Sequence, residues 1–259
     1  MNKNILFHRK YPSGKTSIVI LHGLFGSSQN WNAISSILAN KYTVYALDLR
    51  NHGSSFHQEN NSLDDICFDI LQWLKFNNIS DPILLGHSLG GLAAMQIALN
   101  NNDLIKALLV VDIAPKKYTI KHESEFQALM TEISAFESRK QIDSVLKKII
   151  PDDIKRNFLM TNIERKDNQY VWRINVRNLF KEENRTNFNV SIGLSFNKPT
   201  LFVKGEKSNY ILNEDYDTIK SYFPSANIQI IKSADHWVHF SAKEKFIQVL
   251  NNFLSLIDE

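Results

Sequence analysis

The first half of the chain alternates short apolar runs with longer segments whose apolar residues recur every three or four positions. Short apolar runs bounded by polar turns indicate buried strands, and the longer periodic segments indicate amphipathic helices. Because the two kinds of segment alternate, the pattern predicts a mostly parallel sheet flanked by helices, an α/β fold. The predicted strands are 17–21, 42–47, 83–85 and 104–111, and the predicted helices between them are 31–40, 63–76 and 89–100.

The pattern of apolar positions changes at residues 115–195, where it is mainly helical with a short extended stretch at 170–174. The alternation then resumes with a strand, a helix, a second strand and an amphipathic C-terminal helix. We therefore predict an α/β core made of residues 1–114 and 196–259, with residues 115–195 inserted as a helical lid. The predicted lid helices are 122–136, 141–150, 152–161 and 176–183, and the later core elements are 199–205, 214–222, 227–231 and 242–257.

Composition and charge narrow the class of protein. A chain of 259 residues suits one α/β domain with an insertion. Its 30 Lys and Arg and 27 Asp and Glu residues are scattered along the sequence, which argues against a nucleic-acid surface or a polybasic membrane patch. The first ten residues hold only three consecutive apolar positions, and no stretch approaches the length of a membrane span. We expect a cytoplasmic protein without a membrane span. The single cysteine, Cys67, is expected to be a buried apolar residue.

The motif Gly86-His87-Ser88-Leu89-Gly90 lies between a predicted strand and a predicted helix. A sharp strand-to-helix turn with a serine between glycines is typical of a nucleophile elbow, in which the hydroxyl projects beyond the end of the sheet. Taken alone, the same letters also fit a helix whose N-terminus is capped by a serine. The elbow therefore needs support from residues elsewhere in the chain.

A serine hydroxyl is a weak nucleophile, so it requires a base within hydrogen-bond reach and an acid that orients the base. His236 is the favoured base, because it follows the last predicted strand in a loop. His239 is its rival, but it lies where the last helix is about to begin and is less free to reach back. Two residues compete as the acid. Asp112 ends the strand 104–111, and Glu206 follows the strand 199–205.

Serine chemistry on such an elbow also requires donors for the developing oxyanion. The expected donors are the backbone N–H groups of Leu89, directly after Ser88, and of Leu24, in the glycine-containing loop after the first predicted strand. His22 in that loop is expected to be a structural hydrogen-bonding residue, and the segment 50–53 is expected to shape the loop beneath the site.

Taken together, the motifs identify a family. The chain resembles the bacterial esterase YbfF family of α/β-hydrolases over nearly its whole length. The most specific motifs are Arg-Asn-His-Gly and Asp-Ile-Ala-Pro. The residues that carry the resemblance are His22-Gly23-Leu24-Phe25-Gly26-Ser27, Asp48-Leu49-Arg50-Asn51-His52-Gly53, Gly86-His87-Ser88-Leu89-Gly90-Gly91, Val111-Asp112-Ile113-Ala114-Pro115, Trp172-Arg173-Ile174-Asn175 and His236-Trp237-Val238-His239.

The resemblance implies an α/β-hydrolase fold and a serine esterase acting on small-molecule acyl esters or acyl-CoA thioesters. It implies Ser88 as nucleophile, Asp112 as acid and His236 as base, and it favours Asp112 over Glu206 because the family places its acid one strand earlier than is usual. Ser208 matches a family serine near the histidine. Asp235 departs from the small residues that related enzymes tend to have before the base.

The sequence also leads to expectations about the pocket residues, the cofactors and the alternative functions. Phe25, Ser208 and Trp237 are assigned as auxiliary or substrate-binding residues. The serine mechanism needs neither a metal nor an organic cofactor, so none is expected, and no Cys and His cluster has metal-ligand spacing. A carbon–carbon bond hydrolase or lyase with the same triad is the alternative enzyme, and a non-catalytic binding protein is the alternative without chemistry. Five lid residues are expected to wall an acyl pocket, namely Phe126, Leu129, Met130, Phe136 and Leu159.

Overall fold

The structure is a computed structural model, and it describes residues 4–119, 122–184, 190 and 195–258. Parts of the predicted lid, 120–121, 185–189 and 191–194, lie outside the described residues, as do positions 1–3 and 259 of the predicted core. Within the described ranges, no helix combines the length and the apolar character that crossing a membrane requires.

Parallel strands dominate the sheet. In the described residues, one sheet has seven strands, and their spatial order is His8–Tyr11 (β1), Thr43–Leu47 (β3), Ser17–Leu21 (β2), Ile83–His87 (β4), Ala107–Val111 (β5), Thr200–Gly205 (β8) and Ala226–Ile231 (β9). The first strand runs antiparallel to its neighbour, and the other pairings are parallel. The strands are β1 (His8–Tyr11), β2 (Ser17–Leu21), β3 (Thr43–Leu47), β4 (Ile83–His87), β5 (Ala107–Val111), β6 (Ile163–Lys166), β7 (Gln169–Trp172), β8 (Thr200–Gly205) and β9 (Ala226–Ile231).

Helices cover both faces of this sheet. Apolar residues of the second and third helices pack with one face, and those of the first and last helices pack with the other. The helices are α1 (Asn32–Leu38), α2 (Leu63–Phe76), α3 (Leu89–Asn100), α4 (Glu123–Leu129), α5 (Arg139–Leu146), α6 (Asp153–Met160), α7 (Val176–Phe180), α8 (Tyr216–Tyr222), α9 (Val238–Ser241) and α10 (Lys243–Asp258).

Several element boundaries differ from the sequence prediction. The helices α2 and α3 begin and end where predicted, and a Ser62 side chain caps the first of them. The strand β4 runs two residues further than predicted, whereas β5 begins three residues later, because residues 102–104 form a 3₁₀ turn. The edge strand β1 was not predicted. Its sequence, His-Arg-Lys-Tyr, lacks the apolar run that marks a buried strand.

The chain between β5 and β8 carries the four short helices α4 to α7 and a hairpin of β6 with β7. The expected extended stretch at 170–174 overlaps β7, but its partner β6 was not predicted. Three of the four residues of β6 are exposed and charged, so no alternation of apolar and polar positions marks it. Apolar residues of this segment form a separate buried cluster, which also contains Phe25 from the loop after β2.

Strand register brings the chemistry-bearing loops to one edge. Leu21 of β2 pairs with Gly86 of β4, and Val111 of β5 pairs with both His87 of β4 and Val203 of β8. The four strands therefore end at nearly the same level. Loops that follow the carboxyl ends of neighbouring parallel strands converge, and ligands of such sheets bind there.

Candidate active site

Ser88 occupies a sharp turn between β4 and α3. Its backbone has φ 50° and ψ −116°, a conformation that residues with a Cβ atom rarely adopt. A Cβ atom on Gly86 would lie 2.2 Å from the carbonyl oxygen of Gly90, and one on Gly90 would lie 2.3 Å from that of Leu21. The turn therefore requires glycine at both positions, because strand and helix approach too closely for a larger residue.

Asp112 and His236 meet beside this turn. Asp112 follows β5 and is fully buried, and its Oδ2 accepts a hydrogen bond from Nδ1 of His236 at 2.7 Å. The same oxygen accepts a hydrogen bond from the Ser208 hydroxyl, and Oδ1 accepts one from the Gly205 amide at 2.9 Å. Since Nδ1 of His236 carries the hydrogen of this bond, the neutral ring has its free lone pair on Nε2.

Burial shifts the pKa values of both partners toward their neutral forms. It raises the pKa of Asp112, although the hydrogen bonds from Ser208 and Gly205 oppose the rise. It lowers the pKa of His236 below 6.5, so the imidazole is neutral near pH 7. A neutral imidazole oriented by a buried acid has the form that a general base requires.

The two rival residues lie elsewhere. His239 is a buried residue of α9, and its ring stacks on the Trp31 ring with centroids 4.2 Å apart. The Oε2 atom of Glu206 accepts a hydrogen bond from the Ser233 amide at 2.8 Å, on the exposed side of the loop. The residue that bonds to Nδ1 of His236 is therefore Asp112.

The two expected oxyanion donors follow the carboxyl ends of the neighbouring parallel strands β2 and β4. Leu24 lines a pocket together with Ser88, and Leu89 is the first residue of α3. Within the described part of the chain, neither backbone amide donates a hydrogen bond. Both amides are therefore available to a bound oxyanion.

Two buried histidines hold the loop that contains Leu24. Nδ1 of His22 donates to the Gly23 carbonyl at 2.8 Å, and its Nε2 accepts from the Leu49 amide at 2.9 Å. His52 accepts at Nε2 from the Phe25 amide at 3.3 Å. Burial lowers the pKa of both imidazoles, which keeps them in the neutral form that these bonds require. The expectation that His22 is structural agrees with these contacts.

A small pocket contains Ser88 and His236. Its volume is about 20 Å³, room for about one water molecule. Apolar side chains form much of its wall, and the rings of Phe158 and Trp237 meet with centroids 5.5 Å apart. The remaining lining residues are Leu24, Phe25, His87, His122, Glu125, Lys155 and Leu159.

The predicted lid wall was only partly right. Of the five apolar residues expected to line the acyl pocket, Leu159 does so. Phe126 and Leu129 are buried in the cluster between α4 and its neighbours, and Phe136 packs against that cluster. Met130 is 43% exposed and lines a separate groove on the inserted segment. A helical pattern shows which residues are buried, but it does not show which partner buries them.

Charged and aromatic residues that sequence reasoning missed surround the base. The Tyr210 ring stacks on His236 with centroids 3.9 Å apart, and Tyr210 lies two positions beyond the predicted Ser208. Nε2 of His87, inside the elbow motif, donates to the His236 carbonyl at 2.9 Å. Glu125 pairs with His122 and with Lys155, each at 3.5 Å, on the pocket wall.

The Asp235 side chain forms a hydrogen bond within its own turn. Its Oδ1 accepts a hydrogen bond from the Trp237 amide at 2.9 Å, which fixes the turn that carries His236. Among the described residues, no group of three or more His, Cys, Asp or Glu side chains is arranged to hold a metal ion.

Comparisons with known proteins agree with this architecture. Residues 16–132 match a family model described as the alpha/beta hydrolase fold. The solved structure of a marine microorganism esterase superposes with a TM-score of 0.90 at 36% identity. The match covers 96% of this chain and 99% of that one.

Two curated relatives cover most of the chain. The sn-1-specific diacylglycerol lipase ABHD11 of Danio rerio is 36% identical over 250 residues, which is 92% of this chain and 78% of the relative. Esterase YbfF of Escherichia coli is 27% identical over 244 residues, 92% of each chain.

Proposed function

The chain belongs to the α/β-hydrolase family as a hydrolase of the esterase and lipase type, and we propose that it cleaves acyl esters through an acyl-enzyme on Ser88. The observation that carries this proposal is the 2.7 Å bond between the buried Asp112 carboxylate and Nδ1 of His236, whose ring lines the same pocket as Ser88. These are the three groups that nucleophilic serine chemistry needs.

In the first half of the proposed reaction, Nε2 of His236 takes the proton of the Ser88 hydroxyl as the oxygen attacks the ester carbonyl. The carbonyl oxygen becomes an oxyanion that accepts hydrogen bonds from the amides of Leu24 and Leu89. Collapse of this intermediate breaks the bond to the leaving group, which receives the proton from His236. The products of this half are an acyl-enzyme and a free alcohol or thiol.

In the second half, water attacks the acyl-enzyme and gives its proton to Nε2 of His236. The second tetrahedral intermediate collapses and releases the carboxylic acid, and His236 returns the proton to the Ser88 oxygen. Throughout both halves, Asp112 holds the imidazole in one tautomer and stabilises its positive charge. Ser208 donates to Asp112 and is not among the residues that line the pocket, so we assign it to positioning of the acid.

The pocket supports an acyl substrate. Phe25 and Trp237 contribute apolar surface to the pocket that contains Ser88 and His236, which suits the hydrocarbon part of an ester. We propose that residues 115–195 act as a lid over this pocket, because α4 and α6 supply Glu125, Phe158 and Leu159 to its wall. We further propose that the enzyme acts in the cytoplasm, where a single buried thiol such as Cys67 stays reduced.

A panel of substrates tests the proposal. The purified protein is assayed with p-nitrophenyl esters, with acyl-CoA thioesters of matched chain length, and with a diketone that reports carbon–carbon bond cleavage. We expect ester turnover that falls at least about 1,000-fold in Ser88→Ala. Thioester turnover that also depends on Ser88 would extend the substrate class to acyl-CoA. Ester turnover that survives in Ser88→Ala, or turnover of the diketone alone, overturns the proposal.

A further inference from the structure

The oxyanion donor of Leu24 is connected to the inserted segment by a chain of hydrogen-bonded peptide groups. The amide of Leu24 belongs to the peptide that contains the Gly23 carbonyl, and a trans peptide is planar, so fixing that carbonyl fixes the direction of the N–H group. The Gly23 carbonyl accepts from the amide of Gly26 at 3.0 Å and from His22 at 2.8 Å.

The next link in this chain is the peptide between Phe25 and Gly26. Its N–H group is the Gly26 amide that holds Gly23, and its carbonyl belongs to Phe25. That carbonyl accepts a hydrogen bond from Nδ2 of Asn162 at 2.8 Å. The side-chain amide of Asn162 therefore acts on the Leu24 amide through two rigid peptide planes.

The backbone conformation of Phe25 requires such a hydrogen bond. Its φ is 63°, in the left-handed region that a bulky residue adopts only when its surroundings impose it. His52 holds its amide from the core, and Asn162 holds its carbonyl from the turn between α6 and β6. The core and the inserted segment thus fix opposite sides of one strained residue.

The surroundings of Asn162 favour a positioning role over simple packing. The residue is 2% exposed, and Nδ2 also donates to the Leu159 carbonyl at 3.2 Å. Its Oδ1 has no hydrogen-bond partner among the described residues. A buried unpaired acceptor lowers stability, which an apolar residue of similar size would avoid. The side chain is therefore suited to supplying a donor at this position.

We propose that Asn162 is a positioning residue for the oxyanion hole, through which the inserted segment takes part in the reaction. This inference rests on the proposed function, because the oxyanion forms only if Ser88 attacks a carbonyl. Without the Nδ2 donor, the Phe25 peptide can rotate, the Gly26 bond to Gly23 weakens, and the Leu24 amide loses its alignment. The loss falls on the tetrahedral intermediate, while ground-state binding is unaffected.

The test compares Asn162→Ala and the isosteric Asn162→Asp with a matched control. Asn178→Ala removes another side-chain amide of the inserted segment that donates to a core carbonyl, that of Gln58 at 2.8 Å, away from the pocket. For each variant, kcat and KM are measured with a p-nitrophenyl ester. The inhibition constant is measured for an alkyl trifluoromethyl ketone, which forms an oxyanionic adduct with a serine. Thermal unfolding is followed in parallel.

We expect both Asn162 variants to lower kcat roughly 10- to 100-fold with KM changed less than about twofold. The inhibition constant for the ketone should rise by a similar factor, and Asn178→Ala should behave as wild type. If either folded Asn162 variant keeps kcat and ketone affinity and loses only thermal stability, the inference is overturned while the proposed function stands. If Ser88→Ala retains ester turnover, the proposed function fails and this inference fails with it.

Discussion

At the scale of single residues, the site depends on what surrounds one carboxylate. Asp112 accepts hydrogen bonds from His236, Ser208 and the Gly205 amide, whereas the exposed Glu206 accepts one from the Ser233 amide. A buried carboxylate that contacts the imidazole can keep its tautomer and support its charge. A carboxylate that contacts only a loop amide contributes little to either.

The acid assignment gives the first prediction. Asp112→Asn should lower kcat by about 10⁴-fold, because the amide cannot support the imidazolium and it permits the wrong tautomer of His236. Glu206→Gln is the control and should stay within about twofold of wild type in the same ester assay. A near-normal Asp112→Asn together with an inactive Glu206→Gln would reverse the assignment.

The pH profile gives the second prediction. His236 must be neutral to accept a proton, so kcat/KM falls as the pH drops through its pKa. Burial lowers that pKa, His122 and Lys155 lower it further, and Asp235 raises it. Burial also raises the pKa of Asp112 to about 7, and the reaction needs its carboxylate as well as a neutral imidazole. We therefore expect the acid limb to report the coupled pair, with its midpoint near pH 7.

Substitution of Ser208 should shift the acid limb of the kcat/KM profile. Its hydroxyl lowers the pKa of Asp112, so Ser208→Ala makes the carboxylate bind a proton more tightly and shifts the coupled acid limb to higher pH. Ser208→Thr keeps a hydroxyl and serves as the control. A limb that stays in place or moves to lower pH in Ser208→Ala would show that Ser208 does not act through Asp112.

The main site residues could be predicted because each follows a recognisable strand or turn. Ser88 lies in a motif whose glycines are required by close approach, and Asp112 and His236 follow apolar strands. Tyr210 and Asn162 could not be predicted in this way. Their contacts with His236 and Phe25 depend on how distant segments fold over the sheet edge.

At the scale of elements, α6 supplies part of the wall of the pocket that contains the base. Phe158 of this helix contacts the Trp237 ring, and both line the pocket of about 20 Å³. A cavity of this volume does not accommodate a long acyl chain without movement of the wall. The side chains of α6 are therefore expected to influence the preferred acyl length.

Truncation on α6 gives the fourth prediction. Phe158→Ala should raise the ratio of kcat/KM for a hexanoyl ester over an acetyl ester by roughly tenfold, because the ring is removed from the wall. Ile154→Ala is the matched control, since Ile154 lies on the same helix, is 47% exposed and does not line the pocket. An unchanged ratio in Phe158→Ala, or an equal change in the control, would contradict this account of the wall.

At the scale of the whole molecule, the α/β alternation predicted the sheet and its helices, since apolar runs and periodic segments mark buried strands and amphipathic helices. The polar strands β1 and β6 escaped prediction because pairing with a neighbour, and not an apolar pattern, makes them strands. Shared contacts join the inserted segment to the core. Phe25 packs in the apolar cluster of that segment, and the Asn175 amide donates to the Asn51 carbonyl at 2.8 Å.

The most direct test of the central claim is the site of covalent modification in the intact protein. The protein is treated with a fluorophosphonate, and its mass and peptide map are measured beside those of Ser88→Ala. The account predicts one adduct per chain, located on Ser88, with loss of ester turnover in proportion to labelling and no adduct in the variant. An adduct on another residue, or ester turnover that persists after Ser88 is fully labelled, would contradict it.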